Sequence, residues 1–303
     1  MGKATAIVTA AEFLKILTRS HLVSAEQIAE LQQDCAAASD AKAAARQFVK
    51  AQLLTPWQAM QLLAGSYALK LGPYTLREQT GKGEHGRVYL AEHSQLNRLA
   101  TIKILREKQS LDAARQAFGV DHPNLLRVLD VDQIGNRYYV AIEHVAGPSL
   151  SERLEEQPVL AVEQVVQWVR QTAAGLEHVH GNGLIHGSIR PDVLLVDQQN
   201  NLKIADLGMA ELASTTKSTR GNKTAYLSPE QLQNEPLTPA SDVYALGATF
   251  YCLLAGQPPF EKLAAAELSA SKQAGPAKTI LDLRADAPTA LVKICEKMMA
   301  PQV

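Results

Sequence analysis

The sequence predicts an α+β fold, with a small antiparallel β lobe, a larger helical lobe after it and a small all-α module in front. Three observations lead to this prediction. Residues 1–68 carry helical periodicity and almost no strand pattern, residues 71–143 alternate like short antiparallel strands, and helical patterns dominate from residue 164 onward. The length of 303 residues fits a two-lobed fold with an added module.

Helix start and stop signals divide the first module into short helices. The helices are predicted over residues 25–35, 41–53 and 56–63. The signals are Ser24 with Gln27, Ser39 or Asp40, Thr55 with Pro56, and Gly65. We expect a bundle of about four helices over residues 1–68. It serves either as a docking module for partners or only as a small packed core that abuts the next domain.

The segments after residue 71 are assigned from their periodicity. Alternation predicts strands over residues 74–79, 87–93, 99–105, 126–131 and 138–143. Helical spacing predicts helices over residues 162–180, 242–255 and 288–300. We expect one domain at residues 1–68 and a second at 72–303, whose β lobe covers about 72–146 and whose helical lobe covers about 147–303.

The charges of the chain nearly cancel, with 30 basic and 31 acidic residues, so composition gives no indication of nucleic-acid or membrane-surface binding. The longest apolar run, residues 244–256, is too short to span a bilayer, and no signal peptide precedes the first module. Cys35, Cys252 and Cys295 lack a metal-type spacing. We therefore expect free thiols in a reducing cytoplasm, no nucleic-acid partner and no membrane segment in this stretch.

A glycine-rich pattern, G-x-G-x-x-G-x-V, runs from Gly81 to Val88. Three such glycines alone also fit an ordinary turn. The pattern lies between two predicted strands rather than between a strand and a helix, which favours a phosphate-covering hairpin over a dinucleotide fingerprint. The next strand contains the sequence A-T-I-K, which ends at Lys103. Together the two patterns favour a site for nucleotide phosphates.

Further along, the chain reads H-G-S-I-R-P-D-V from His186 to Val193 and A-D-L-G from Ala205 to Gly208. In this order, the motifs resemble those of the bacterial, eukaryotic-like serine/threonine protein kinases. The resemblance covers about residues 72–301. It implies a bilobal protein-kinase-like fold and a nucleotide site for ATP.

The resemblance also implies which residues hold the nucleotide. Lys103 would reach the α and β phosphates, Thr101 would lie above the adenine, and the backbone around Glu143 and Val145 would hold the adenine edge. Asp206 keeps the metal-binding aspartate, which implies a single Mg²⁺ site. The full nucleotide-binding set is Gly81, Gly83, Gly86, Val88, Thr101, Lys103, Glu143, Val145 and Leu195.

Two positions of the loop that resembles the catalytic loop lack the group that the family uses. Ser188 occupies the position of the proton-accepting aspartate, and Val193 occupies the position of the metal-binding asparagine. A serine hydroxyl is too weak a base near neutral pH, and valine has no lone pair to give a metal. Gly187 also replaces an arginine that would clamp a phosphorylated loop. We therefore expect no catalytic residue.

The helix that should supply a glutamate partner for Lys103 is also altered. Counting back from His122, Pro123 and Asn124 places that glutamate at Ala113, with Asp112 the neighbouring acid. An aspartate one position away faces about 100° around the helix, so it is a poor substitute.

Near the C-terminal end, scaffold residues of the family are kept. Asp242 matches the aspartate that ties the catalytic-loop backbone in place. Glu230 matches a glutamate whose arginine partner would lie beyond residue 303. A buried carboxylate without its partner is costly, so either the chain is truncated, as we expect, or the lobe is closed in another way. A polar cluster consists of Ser214, Thr215, Thr216, Ser218 and Thr219. It is either a phosphorylation site or a flexible loop, and the absence of the clamping arginine favours the loop.

These departures predict a pseudokinase, in which retained nucleotide-binding motifs make the binding of protein partners sensitive to nucleotide. One alternative is a weakly active ATP-dependent serine/threonine kinase. Its support is that positioning and charge outweigh base catalysis in phosphoryl transfer. A second alternative is a scaffold that binds no nucleotide and uses the N-terminal helices as its working surface.

Overall fold

The computed structural model describes residues 9–31, 38, 40–83, 86–106, 108–208, 223–260, 268, 271–272 and 278–300. Short helices come first, antiparallel strands follow, and helices dominate the remainder, which confirms the predicted α+β class. Two compact units form, one from Met1–Arg106 with Asp132–His144 and the other from Glu107–Val131 with Val145–Val303. The helices at residues 10–63 group with the strands in the first unit.

The first unit begins with four described helices, and predicted caps explain where three of them start. These helices are α1 (Ala10–Ser20), α2 (Ala25–Glu30), α3 (Ala41–Lys50) and α4 (Pro56–Leu63). Capping boxes at Ser24 and Thr55, and the side chain of Asp40, bond the free amides of the first turns. Cys35 and Ser39 lie outside the described residues. Phe13, Leu17, Phe48 and Leu62 are fully buried in a shared apolar core.

The described strands β1 to β6 form one antiparallel sheet in the order β1-β2-β3-β4-β6-β5. They are β1 (Lys70–Leu71), β2 (Tyr74–Gly83), β3 (Gly86–His93), β4 (Arg98–Leu105), β5 (Val128–Ile134) and β6 (Arg137–Glu143). The predicted strands are therefore confirmed, with ends that differ by a few residues. In β3 and β4 buried residues alternate with less buried ones, as alternation predicts, whereas β6 is buried on both faces over residues 139–142.

The helical segment bonds to the sheet at an irregularity in β2. The register of β2 with β3 shifts between Leu76 and Glu78, and such a bulge leaves ladder groups unpaired. The Thr55 hydroxyl donates to the Arg77 carbonyl oxygen at 2.6 Å, and the Gln58 amide donates to the Leu76 carbonyl oxygen at 2.8 Å. The helices therefore satisfy backbone groups of the sheet.

We expect Gln58→Met to lower the free energy of unfolding by about 1–3 kcal/mol, because it leaves the Leu76 carbonyl without its side-chain donor in a buried place. Gln61→Met, on the same helix, is the matched control, with an expected change within about 0.5 kcal/mol. Urea denaturation of both variants checks the prediction. Equal effects of the two substitutions would contradict it.

The second unit is mainly helical. Its described helices are α5 (Lys108–Ala117), α6 (Leu150–Glu156), α7 (Val162–Gly181), α8 (Pro229–Leu232), α9 (Pro239–Ala255), α10 (Ile280–Leu283) and α11 (Thr289–Met298). A hairpin of β7 (Leu194–Val196) and β8 (Leu202–Ile204) lies between α7 and α8 in sequence. Almost all of α9 is buried, including Cys252, and Cys295 of α11 is buried as well. Among the described residues, no helix combines the length and apolarity that crossing a membrane requires.

Lys272 is an unusual buried cation of the second unit, with 1% of its surface exposed. Its ammonium donates to the Ala225 carbonyl oxygen at 2.8 Å and lies 4.7 Å from the ring centroid of Phe260 and 4.9 Å from that of Tyr244. These contacts are weaker than a carboxylate partner, so burial lowers the pKa of Lys272 from 10.5 to about 7.

This lowered pKa predicts a pH dependence of stability. Between the folded pKa of about 7 and the ordinary 10.5, the unfolded chain holds a proton on Lys272 that the folded chain does not. Raising the pH therefore favours folding, by at most about 1.4 kcal/mol per pH unit. Cys295, whose pKa burial raises from 9.0 to about 12, opposes this gain only above its ordinary pKa, so the window to measure is pH 7 to 9.

We expect the free energy of unfolding of the wild type to rise with pH in that window relative to that of Lys272→Met, which has no titratable group at position 272. Lys293→Met, at an exposed lysine of α11, is the control and should track the wild type. Chemical denaturation at several pH values measures the difference. A Lys272→Met curve parallel to the wild type would contradict the lowered pKa.

Candidate nucleotide and catalytic-loop site

The glycine-rich motif lies on the β2–β3 hairpin, as predicted, with Gly81 opposite Val88 and Gly83 opposite Gly86. Glu84 and His85 at its tip lie outside the described residues. A side chain at Gly86 would place its Cβ 1.7 Å from the Ile104 carbonyl oxygen, so only glycine allows β3 and β4 to approach here.

Strand β4, which follows the hairpin, carries two of the predicted nucleotide residues, Thr101 and Lys103. Lys103 is half-buried and lies opposite Val88 on β3 and Val140 on β6. The hydroxyl of Thr101 lies 3.2 Å from Nδ1 of His144, a residue beyond the end of β6, where Glu143 also lies half-buried. Burial lowers the pKa of His144, which favours a neutral imidazole beside Thr101. Sequence reasoning placed His144 in this segment but missed the contact.

In the second unit, His186 is fully buried in the loop after α7. Its Nε2 lies 2.7 Å from the Ala205 carbonyl oxygen, and since a carbonyl only accepts, Nε2 carries the proton. Among the described residues Nδ1 has no hydrogen-bond partner. Burial is the main cause that lowers the pKa of His186, so the ring is neutral and holds the loop to the segment before Asp206.

The Asp242 carboxylate fixes the backbone of the same loop. It accepts from the His186 amide at 2.8 Å and from the Gly187 amide at 2.6 Å, and its Oδ2 lies 2.8 Å from Nε2 of His180. Asp242 is fully buried, and Gly187 has a φ of 65°, which favours glycine. The predicted tie between Asp242 and the catalytic-loop backbone is therefore confirmed.

The hydroxyl at the proton-acceptor position has a cation as its neighbour. The Arg190 guanidinium donates to Oγ of Ser188, and its Nε lies 2.6 Å from a carboxylate oxygen of Asp192. The Arg190 side chain is 12% exposed, whereas that of Asp192 is 41% exposed, so only the guanidinium side of this pair is largely shielded from water. A hydroxyl that accepts from a guanidinium is a poorer proton acceptor still, because the cation disfavours a second positive charge on that oxygen.

The position of the second metal ligand is filled by hydrocarbon. Val193 is 2% exposed, and its carbonyl oxygen accepts from the Ala205 amide at 2.8 Å. The neighbouring Asp206 is half-buried in the left-handed conformation, with a φ of 68°. A carboxylate suits Mg²⁺ and a valine side chain does not, so these residues fit one magnesium ion and not two.

The remaining predicted residues of the second unit lie apart along the chain. Val145 lies two residues beyond the end of β6 and is half-buried. Leu195 lies half-buried on β7, opposite Lys203. The predicted nucleotide-binding set is thus divided between the two compact units. In each unit, the strands and loops of that unit position its members of the set.

The helix that should carry the glutamate partner of Lys103 is α5, and its acid has another partner. Asp112 lies 3.2 Å from Nη1 of Arg115, one turn along the helix, and its side chain is 57% exposed. This contact accords with the expectation that Asp112 does not replace the missing glutamate.

The Glu230 carboxylate has a partner among the described residues. Glu230 is half-buried, and its carboxylate accepts from the Ser241 hydroxyl of α9. The next residue, Gln231, donates to the Gly187 carbonyl oxygen at 2.7 Å. The predicted phosphorylation cluster at residues 214–219 lies outside the described residues.

Comparison with known proteins accords with this geometry. Residues 74–301 match the protein kinase domain family. The chain is 34% identical over 203 residues to the serine/threonine-protein kinase PrkC of Bacillus subtilis, which covers 63% of this chain and 31% of that protein. It is 30% identical over 205 residues to PknE of Mycobacterium tuberculosis, covering 63% and 36%.

A further relative is the probable serine/threonine-protein kinase PknB of Lactococcus lactis, 29% identical over 244 residues, which cover 76% of this chain and 39% of that protein. The chain therefore spans between about a third and two fifths of the length of these relatives. Because the family match covers most of the chain, from β2 to the end of α11, the chain belongs to the protein kinase family and, within it, to the eukaryotic-like serine/threonine kinases of bacteria.

Proposed function

We propose that this protein is a pseudokinase, which binds nucleotide and protein partners but transfers phosphate little or not at all. The observation that carries the proposal is the pair of residues at the two predicted positions, the Ser188 hydroxyl in place of a proton-accepting carboxylate and the buried Val193 in place of a metal ligand. The position that needs a proton acceptor holds a neutral hydroxyl, and a buried guanidinium donates to that hydroxyl.

Losing a general base costs about 100-fold to 10,000-fold in rate. Asp192 does not replace it, because its carboxylate pairs with Arg190. Val193 presents hydrocarbon where a second metal ligand would lie, and Asp112 pairs with Arg115. The losses do not simply add, but each removes a group that acts on charge in phosphoryl transfer.

The residues that favour retained nucleotide binding are those of the hairpin and its neighbours. Gly86 allows the close approach of β3 and β4, and Lys103 on β4 supplies a cation for phosphates. Asp206 would hold a single Mg²⁺, which when bound neutralises phosphate charge. We infer that the binding of partner proteins depends on whether nucleotide is bound and not on phosphate transfer.

A weakly active serine/threonine kinase is the second candidate. The retained Lys103 and Asp206 favour it, because positioning and charge contribute more to phosphoryl transfer than base catalysis does. A scaffold that binds no nucleotide is the third candidate, and one titration separates it from the other two.

Calorimetric titration with ATP, with and without Mg²⁺, tests the proposal on the wild type and on Lys103→Ala. We expect saturable binding that Lys103→Ala weakens about tenfold or more, since a charge-assisted contact to phosphate is lost. Arg98→Ala, at an exposed residue at the start of β4, is the control and should bind like the wild type. Absence of binding at millimolar ATP would contradict the proposal and support the scaffold that binds no nucleotide. Rapid phosphate transfer to a protein substrate by the wild type would contradict it and support the active kinase.

A further inference from the structure

Two histidines of the second unit, which the proposed function does not use, lie face to face. His122 belongs to the loop between α5 and β5, and His178 belongs to α7. Their ring centroids are 5.3 Å apart and their planes differ by 26°, so the two imidazoles are stacked. Both residues are half-buried. The charge of a histidine ordinarily changes between about pH 5 and 8, so this contact depends on protonation near neutral pH.

The loop that carries the first of these histidines supports the strand that leads to Asp206. The Ile204 amide donates to the Asn124 carbonyl oxygen at 2.8 Å, and the Leu126 amide donates to the Ile204 carbonyl oxygen at 2.9 Å. The Asn124 side-chain amide donates to the Leu202 carbonyl oxygen at 2.9 Å. The loop therefore lies along β8 and is bonded to it up to two residues before Asp206.

Helix α7 approaches the loop and β8 at the same place. A Cβ on Gly175 would lie 2.8 Å from Cδ1 of Ile204 and 3.4 Å from the Asn124 carbonyl oxygen, so the lack of a side chain there lets the helix come close to both. His178 lies about one turn further along α7. The stacked histidines are therefore next to the point where α7, the loop and β8 meet.

A hydrogen bond inside the loop requires His122 to be neutral. The Asn124 backbone amide donates to Nδ1 of His122 at 3.1 Å, so that nitrogen is an acceptor and the proton of the neutral ring is on Nε2. A second proton on the ring would occupy Nδ1 and remove this acceptor. It would also place a positive charge against His178, and two protonated rings in contact repel each other.

The surroundings of His122 favour its neutral form. Burial is the main cause that lowers the pKa of His122 below 6.5, and the charge of His178 lowers it further, while Asp121 raises it. The Asp121 carboxylate lies 2.7 Å from a guanidinium nitrogen of Arg127, and this pairing opposes its effect on the histidine.

Further ionisable residues belong to the elements packed at this place. Lys203 is on β8, Glu177 is exposed on α7, and Nε2 of His180, also on α7, lies 2.8 Å from the Asp242 carboxylate. Burial and the two charged neighbours named above, rather than these groups, are the main causes of the lowered pKa.

Acidification favours detachment of the loop. Because the pKa of His122 in the folded chain lies below the ordinary 6.5, the detached loop takes up a proton at a higher pH than the attached loop does. As the pH falls through 6.5, the equilibrium therefore shifts toward the detached loop, and near neutral pH it favours the attached loop. The shift is at most about tenfold per pH unit for each proton taken up.

We propose that His122 and His178 form a proton-dependent latch, which holds the loop against α7 and β8 near neutral pH and releases it on acidification. Release removes the hydrogen bonds that support the strand leading to Asp206. The consequence for magnesium and nucleotide rests on the proposed function, whereas the latch itself does not.

Hydrogen exchange of backbone amides, on the whole chain without nucleotide, tests the latch. The amides of Leu126 and Ile204 are the reporters, because they join the loop to β8. We expect their protection factors, which correct for the intrinsic pH dependence of exchange, to fall about tenfold or more between about pH 7.5 and 5.5. Amides inside the buried helix α9 should keep their protection over the same range.

The double substitution His122→Asn with His178→Phe should remove this pH dependence. An asparagine side chain accepts from the amide two residues further on, and a phenyl ring keeps a planar partner, but neither titrates. His21→Asn, at an exposed histidine that ends α1, is the control and should follow the wild type. The proposal is overturned if the two reporter amides of the wild type keep their protection at low pH, or if the double variant loses it equally.

The ring signals of the histidines in an NMR titration give an independent readout on the wild type. We expect His122 to titrate below pH 6.5. His178→Phe alone should raise the pKa of His122, because the charge that lowers it is lost. An ordinary pKa for His122 in the wild type would overturn the proposal.

Titration with ATP and Mg²⁺ at both ends of the pH range separates the latch from the proposed function. We expect weaker binding at low pH in the wild type and a smaller difference in the double variant. Reporter amides that lose protection at low pH, in a chain that binds no ATP at either pH, would support the latch and contradict nucleotide binding.

Discussion

The double substitution Ser188→Asp with Val193→Asn is expected to raise phosphoryl transfer from near background by about 100-fold or more. It supplies a carboxylate at the proton-acceptor position and an amide oxygen where the valine side chain has none. Transfer of labelled phosphate to a generic serine/threonine substrate measures the gain.

Two controls keep this result interpretable. Lys103→Ala added to the double variant should abolish the new activity, because the phosphates then lose their cation. Val193→Asn places an amide at a site that is 2% exposed, so thermal unfolding must verify the fold, with an expected cost of about 1–3 kcal/mol. A folded double variant that binds ATP but transfers no phosphate would contradict this expectation. It would indicate that the missing glutamate of the helix is what prevents transfer.

Asp242→Ala is expected to lower the free energy of unfolding by about 3–5 kcal/mol, the largest stability effect that we predict. The carboxylate is fully buried and accepts from the amides of His186 and Gly187, so its removal leaves two buried donors without their acceptor. Chemical denaturation followed by circular dichroism measures the loss.

Asp286→Ala is the matched control for this prediction. Asp286 also pairs with a cation, Arg284, at 3.3 Å, but its side chain is 75% exposed. An exposed pair contributes about 0–1 kcal/mol, so this substitution should change little. If both alanine variants were destabilised equally, burial of the Asp242 carboxylate would not be the source of its effect.

Much of the fold could be predicted because its signals are local. The capping box at Ser24 and the cap at Asp40 placed the starts of α2 and α3, and alternation placed the strands of the sheet. The order of the kinase motifs indicated the family, which the match over residues 74–301 shows. Each of these patterns reports neighbours a few residues apart, where helix and strand geometry relate sequence to position directly.

The side-chain contacts of the candidate site could not be predicted from local sequence patterns. The tie from Asp242 to the His186 amide spans 56 residues, and only the family resemblance located it. The hydrogen bond from the Ser241 hydroxyl to Glu230 was not predicted, because it joins residues of two different helices. Lys272 carried no sequence signal, since a lysine is usually exposed and only packing under Phe260 and Tyr244 makes it buried.

The sequence by itself determined which groups are present in the loop from His186 to Val193, a hydroxyl at Ser188 and hydrocarbon at Val193. Only the tertiary structure decided what those groups do. Ser188 and Arg190 are two residues apart, yet their contact depends on the burial of the guanidinium and its pairing with Asp192. Side-chain partners follow from packing and desolvation, which join residues by distance in space and not by spacing along the chain.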